Sequence, residues 1–310
     1  MNILIRLFGL AIFIYLFSLV EISQIVILTR SIKWPYIGIA CILMIIQLLI
    51  KAERWRSINV KQNIIVPLYS SIKISAIASV FGMVTPGRIG EFIKVRFVKN
   101  YSSTLIEAWI GVIIDRLFDL IFVIIVGMIS TIYLSQVQYF KLSLFFGSIF
   151  ILVFIIMVIM ILKHNRIIKF FTQIKSTTLI PLIITKFDLF RVRFIFTFKN
   201  SFIKGFSFTC ISFLTQCFTG LAVIHSLGFS LPLYILAIVI SISTLVSLLP
   251  ISIGGFGTRE SIYIALLNQY GIPMESALVF SLINGVLIST IFVGLLAFGF
   301  WSTNRFSIDF

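Results

Sequence analysis

The chain of 310 residues is 60% apolar and only 11% charged, with a mean hydropathy of +1.15 and a net charge of +15. A soluble domain averages about 45–50% apolar and about 25% charged residues, so this composition excludes an ordinary water-soluble fold. It predicts a polytopic membrane protein whose basic residues contact anionic lipid headgroups rather than nucleic acid.

Six apolar blocks approach or exceed the roughly 20 residues that a membrane-spanning helix needs. The predicted spans are 3–22, 35–50, 104–134, 142–162, 202–227 and 276–301. Two further apolar blocks, 64–86 and 233–257, are interrupted by proline and glycine, which is typical of re-entrant helical hairpins. The predicted fold is therefore all-α, with about six transmembrane helices and two re-entrant hairpins.

The distribution of basic residues predicts the orientation in the membrane. Most of the 25 Lys and Arg fall in 51–61, 88–99 and 163–204. The positive-inside rule places these stretches and both termini in the cytoplasm, which predicts a multi-pass protein of the cell (inner) membrane. The longest predicted non-spanning stretch, the basic loop 163–201, is interpreted as a helix on the inner leaflet or as a docking site for a partner enzyme.

An internal repeat is suggested by two similar stretches, 85–117 and 254–286. Each has a glycine-rich turn, a glutamate, an amphipathic segment and then a span with a polar group. Glu91 aligns with Glu260, and Asp115 aligns with Asn284. The predicted topology makes the hairpins enter from opposite sides, so we expect one domain over 1–310 whose halves, about 64–134 and 202–301, form an inverted repeat with the site between them.

Charged residues inside the third predicted span are unexpected, because a charge at the bilayer centre costs about 2.5–3.5 kcal/mol on insertion scales. Asp115 and Asp119 share a helix face, and Arg116 is spaced to pair with Asp119. Two interpretations remain open: a self-neutralised packing cluster, or the polar lining of a lipid or ion path.

The two glycine-rich turns each carry an arginine and a glutamate. A glycine-rich turn that opens a helix presents unpaired N–H groups, and an adjacent arginine favours a phosphate there. In the alternative interpretation the glycines only permit the turn, and the charged residues pair structurally. Glu91 and Glu260 are then expected either to pair with Arg88 and Arg259, one helical turn or less away, or to carry a coupling proton.

Cofactor chemistry is not indicated. The three cysteines lie in apolar runs without metal-type spacing, and the two histidines stand apart. We therefore expect no cofactor, no metal site and no catalytic triad. The phosphate-binding pattern GxxxxGK does not occur, so we expect any transport to be downhill or ion-coupled.

Three segments resemble the lysylphosphatidylglycerol synthase transmembrane region, a flippase-like family of membrane proteins. They are TPGRIGEFIKVRFV at 85–98, IIDRLFDL at 113–120 and PISIGGFGTRE at 250–260. The resemblance implies a membrane domain that translocates or accommodates an anionic lipid. Its translocation core would lie on Pro86, Gly87, Arg88, Gly90, Glu91, Asp115, Arg116, Gly254, Gly255, Gly257, Arg259 and Glu260.

The best-known relatives carry a following aminoacyl-transferase domain. Because this chain ends at Phe310, soon after the last predicted span, we expect no transferase activity. We expect a flippase or lipid-binding transport protein for an anionic lipid, phosphatidylglycerol-like or polyprenyl-phosphate-linked. The alternatives are a subunit that presents lipid to a separate glycosyltransferase or aminoacyl-transferase, and a membrane-embedded lipid transferase with Asp115 or Glu91 as its base.

Overall fold

The predicted all-α class is confirmed by the computed structural model. The structure describes residues 3–99, 101–102, 104–133, 179–248, 252–285, 293–295 and 297–298, and every regular element within these ranges is helical. The predicted fourth span, 142–162, and residues 163–178 of the basic loop lie outside the described residues.

The helices follow one another with short connections. They are α1 (Ile3–Ser18), α2 (Ile22–Arg30), α3 (Trp34–Val60), α4 (Leu68–Met83), a 3₁₀ turn (Ile89–Ile93), α5 (Lys94–Val98), α6 (Leu105–Tyr133), α7 (Leu179–Ser226), α8 (Leu233–Leu248), α9 (Thr258–Asn268) and α10 (Met274–Ser281). Four of them begin at or just after a proline, which lacks the N–H that a first helical turn would leave unpaired. These prolines are Pro35, Pro67, Pro232 and Pro273.

Among the described helices, two are long and apolar enough to cross a membrane: α3 and the part of α7 from Asp188–Ser226. A third span is obtained if the bent pair Ala11–Ser18 and Ser23–Arg30 is counted as one. Helix α6 matches the predicted third span and has 29 residues, but its first half carries four charged residues.

Three predicted boundaries differ from the structure. The chain bends by 88° inside what was predicted as the first span, because α1 ends at Ser18 and α2 begins at Ile22. Helix α3 continues ten residues past the predicted end at residue 50. The segment 179–201 is not a separate surface helix, because it is continuous with the predicted fifth span in the 48 residues of α7.

The helices pack into two groups. In the first group α3, α4, α5 and α6 contact one another around a core that includes Trp55 and Ile74. In the second group α8, α9 and α10 contact one another around Leu236 and Phe280, with α1 and α2 against them. Helix α7 packs along α3, α6 and α8, and α6 also contacts α8, so the two groups face each other across the middle of the molecule.

Candidate functional site

The two glycine turns, separated by more than 160 residues in the sequence, meet in space. We call residues 84–91 the first glycine loop and residues 252–260 the second. Pro86 and Ile253 form an antiparallel bridge, which joins the loops backbone to backbone. Gly254 has a φ of +57°, and a Cβ on it would lie 2.0 Å from the carbonyl oxygen of Met83. Only glycine allows both this left-handed conformation and this close approach.

A cavity of about 690 Å³ opens beside the joined loops. It lies between the two helix groups, and α3, α4, α6, α7, α8 and α9 all contribute side chains to its wall. Serine, threonine and glutamine residues from α4, α7 and α8 alternate there with apolar residues. The charged side chains that line it are Lys51, Arg88, Glu91, Lys94, Arg116, Asp119 and Arg259.

Asp115 of α6 is the centre of a buried ion network behind the cavity wall. Its carboxylate is fully buried and accepts hydrogen bonds from three cations. Arg54 Nε donates to Oδ1 at 2.8 Å, while Lys94 Nζ and Arg116 Nη2 donate to Oδ2 at 2.9 and 3.0 Å. Three elements of the first helix group, α3, α5 and α6, are therefore joined at one carboxylate.

Two more carboxylates complete this network at the cavity surface. Asp119 accepts from Arg54 at 2.6 Å and pairs with Arg116 at 3.1 Å. Glu91 pairs with Arg116 Nη1 at 2.6 Å. Three cations thus face three carboxylates, so the network carries no net charge. The buried Asp115 supports the packing interpretation of the charged span, while Arg116 and Asp119 line the cavity and the lipid or ion path stays a prediction.

Glu260 organises the second glycine loop. Its Oε2 accepts a hydrogen bond from the N–H of Gly257 at 2.6 Å, and its Oε1 accepts from Arg259 at 2.7 Å and from Ser281 at 3.0 Å. The carboxylate therefore fills the N-terminus of α9. In this conformation the protein supplies its own anion to the N–H of Gly257, and phosphate binding by the glycine-rich turns stays a prediction.

The guanidinium of Arg259 lies between Glu260 and Gly285, a residue that follows α10. A Cβ at Gly285 would lie 2.1 Å from the Arg259 guanidinium carbon, so the glycine makes room for the side chain. Gly285 lies in a single π-helical turn, residues 282–285, that follows α10. The predicted pairing of Glu260 with Arg259 is thus confirmed.

Arg88 differs from all these cations. The prediction that it pairs with Glu91 is wrong, because Glu91 reaches across to Arg116 instead. Within the described part of the chain, Arg88 has no ion pair or side-chain hydrogen bond, and it lines the cavity. Its φ of +57° is one of two positive values at non-glycine residues in the described ranges. Such strain at a non-glycine residue is typical of functional sites.

Comparison with protein families adds one finding to this geometry. The family model of the lysylphosphatidylglycerol synthase TM region matches residues 3–297. The chain belongs to this family. The comparisons with curated proteins and with solved structures find no match.

The residues that carry the likeness to the lysylphosphatidylglycerol synthase TM region fall into two sets in space. Half of the twelve predicted site residues line the cavity, namely Gly87, Arg88, Glu91, Arg116, Gly254 and Arg259. The other six do not line the cavity, namely Pro86, Gly90, Asp115, Gly255, Gly257 and Glu260. At Gly90, for instance, a Cβ would lie 2.1 Å from the carbonyl oxygen of Phe81, so this glycine allows the loop to pack on α4.

Sequence reasoning missed three charged side chains of the candidate site in this family member. Lys51, Arg54 and Lys94 were interpreted as cytoplasmic charges, yet Lys51 and Lys94 line the cavity and Arg54 is fully buried. A signal for Arg54 was present, since Ala52, Trp55 and Ile58 repeat at helical spacing and continue the apolar face of α3.

Proposed function

We propose that this membrane-embedded protein binds an anionic lipid with its headgroup in the cavity between the glycine loops and moves that headgroup across the membrane. The observation that carries the proposal is Arg88, whose guanidinium has no ion pair or side-chain hydrogen bond within the described residues and whose strained backbone lies at the wall of the cavity. A charged group at membrane depth without a partner marks a ligand path by default. The lipid would be phosphatidylglycerol-like or polyprenyl-phosphate-linked.

The position of the cavity supports movement as well as binding. Hydrogen-bonding side chains from α4, α7 and α8 line it, so a polar headgroup has partners along its wall. In this proposal the glycine loops are the tips of two re-entrant hairpins in an inverted repeat, and they part and rejoin as the cavity opens to either side. The pairing of Pro86 with Ile253 would then represent a closed contact.

The same proposal includes the setting of the protein. It would lie in the cell membrane with both termini in the cytoplasm, because the positive-inside rule places the basic stretch 163–204 there. It makes no covalent change in the lipid. The basic segment 163–201 would contact the inner leaflet or a partner enzyme that uses the presented lipid.

Reconstitution tests the proposal. Purified protein is placed in liposomes that contain phosphatidylglycerol with a fluorescent headgroup label, and membrane-impermeant dithionite is added outside. We expect dithionite to quench both leaflets with wild-type protein and only the outer leaflet without protein. Arg88→Gln should slow the inner-leaflet phase about tenfold or more, since a charge-assisted hydrogen bond contributes roughly 1.5–3 kcal/mol.

Arg56→Gln is the matched control for this experiment. Arg56 lies on α3 outside the cavity and pairs with Glu53 at 2.6 Å, so its loss should leave the inner-leaflet phase unchanged. Quenching restricted to the outer leaflet with wild-type protein would overturn the transport proposal. In that case a covalently changed lipid would indicate a transferase, and a co-purifying enzyme would indicate a presenting subunit.

A further inference from the structure

The charged side chains around the cavity carry a net positive charge, which can be counted from their ion pairs. The network of Arg54, Lys94 and Arg116 with Asp115, Asp119 and Glu91 is neutral. Arg259 is neutralised by Glu260. Of the cations that line the cavity, two remain: Arg88 in the first glycine loop and Lys51 on α3.

Lys51 and Arg88 act on the same region of the cavity. Lys51 is within electrostatic range of Arg88, and also of Asp119, Glu91 and Arg116. In the described ranges its ammonium has no hydrogen bond or ion pair to a protein group. Two like charges held near each other in a partly dry site repel, which is costly unless an anion lies between them.

We infer that the cavity is built for a membrane lipid that ends in a phosphomonoester, with two negative charges, rather than for a phosphodiester headgroup with one. This inference rests on the proposed function and selects among its lipids. A dianion leaves the cavity with no net charge, whereas a phosphodiester leaves one cation unbalanced. Burying an unbalanced charge is what proteins avoid most consistently.

The chemistry of the two cations also suits a terminal phosphate group. A phosphomonoester presents three terminal oxygens, so Arg88 can take two of them with its planar guanidinium while Lys51 binds the third as a point charge. The hydroxyl of Ser75 on α4 lies in the same cavity wall, and this buried oxygen has no hydrogen-bond partner. It supplies a further donor to a phosphate oxygen.

The test compares two lipids with identical acyl chains. Binding of dioleoylphosphatidate, a phosphomonoester, and of dioleoylphosphatidylglycerol, a phosphodiester, is measured on purified protein in detergent by native mass spectrometry and by thermal shift. At pH 7 we expect phosphatidate to bind at least about tenfold more tightly, since one extra charge-assisted contact is made. Dioleoylglycerol, which lacks the phosphate, controls for binding of the chains alone.

Two changes should remove the preference. Lys51→Gln and Arg88→Gln should each reduce the affinity ratio of the two lipids towards one, while Arg56→Gln should keep it. Lowering the pH to 5 should do the same, because the second proton of a phosphomonoester dissociates near pH 6.

Different failures have different meanings. Equal affinities at pH 7, or tighter phosphatidylglycerol binding, would overturn the two-charge inference and leave the proposed function standing. Binding of neither lipid above the level of dioleoylglycerol would overturn both. Inorganic phosphate is the last arm: binding as tight as that of phosphatidate would support the two-charge site but contradict a lipid as its ligand.

Discussion

The two glycine loops carry similar sequences but end in opposite electrostatic states. In the second loop Glu260 binds its neighbour Arg259 and the N-terminus of its own helix. In the first loop Glu91 lies within a 3₁₀ turn that is followed by a five-residue helix, and it reaches away to Arg116 of α6. Among the described residues Arg88 consequently has no ion pair, while Arg259 is neutralised.

The comparison shows how one motif can serve two purposes. In the second loop Arg259 pairs with Glu260 of the same loop. Its guanidinium packs against the π-helical turn at Gly285. In the first loop, Glu91 takes part in the buried ion network, and Arg88 lines the cavity. This difference between the two halves fits a binding site formed at their interface, because only one of the two loops then needs to present an arginine to the ligand.

The largest expected effect comes from removing the centre of the scaffold in the first half. Asp115→Asn should lower the free energy of unfolding by about 3–5 kcal/mol, because it leaves buried cations without their carboxylate. Chemical denaturation in detergent measures this loss. Asp119→Asn makes the same change one turn along α6, where the carboxylate is 27% exposed, and we expect less than half the loss. Equal losses would show that the burial of Asp115 is unimportant.

The glutamates themselves test the asymmetry directly. Glu260→Gln should cost about 3 kcal/mol, because Arg259 loses its one carboxylate. Glu91→Gln should cost only about 1–1.5 kcal/mol, because Arg116 keeps Asp115 and Asp119. Both values come from denaturation of the purified variants. A larger loss for Glu91→Gln than for Glu260→Gln would contradict the assignment of the second loop as the one whose arginine depends on its own glutamate.

The sequence was sufficient for the helices and for the loops but not for the pairing between them. Proline and glycine positions and apolar runs located α4, α8 and both glycine turns. The ion pair of Arg54 with Asp115 joins residues 61 positions apart, so no local sequence pattern predicts it. Charges at the end of an apolar run resemble interfacial anchors, so Lys51 and Arg54 were predicted to be cytoplasmic. Helix α3 in fact continues through both, burying Arg54 in the protein and placing Lys51 at the cavity wall.

The partner of Glu91 was hidden for a different reason. A spacing of three residues from Arg88 predicts pairing on an α-helix, where such side chains are neighbours. Arg88 instead lies just before a 3₁₀ turn, in the left-handed conformation, so the two side chains do not share a helix face. Local spacing is informative only where the local backbone is α-helical, as it is for Arg116 and Asp119 on α6.

A third experiment tests the contact between the halves. Gly254→Ala should cost about 2 kcal/mol, because the left-handed conformation disfavours a Cβ and Met83 blocks the space that it needs. Gly228→Ala is the matched control, since Gly228 has a φ of +84° but no atom within 4 Å, and it should cost about 1 kcal/mol. Equal costs in denaturation would mean that the approach of the second loop to Met83 contributes nothing.

The smallest expected effect has the opposite sign. Arg88→Gly should raise the free energy of unfolding by about 0.5–1 kcal/mol, because relief of roughly 1–2 kcal/mol of left-handed strain exceeds the entropy that glycine adds to the unfolded chain. The same variant should lose headgroup transport in the liposome experiment. A gain in stability together with a loss of activity is expected where strain is retained for function.

Asn63 provides the control for this trade-off. It has nearly the same backbone conformation, with a φ of +62°, but it lies outside the cavity. Asparagine tolerates the left-handed region, so Asn63→Gly should change stability by only a few tenths of a kcal/mol and leave transport intact. If Arg88→Gly kept wild-type transport, or destabilised the protein, Arg88 would be a structural residue and the open state of the first loop would have no role in binding.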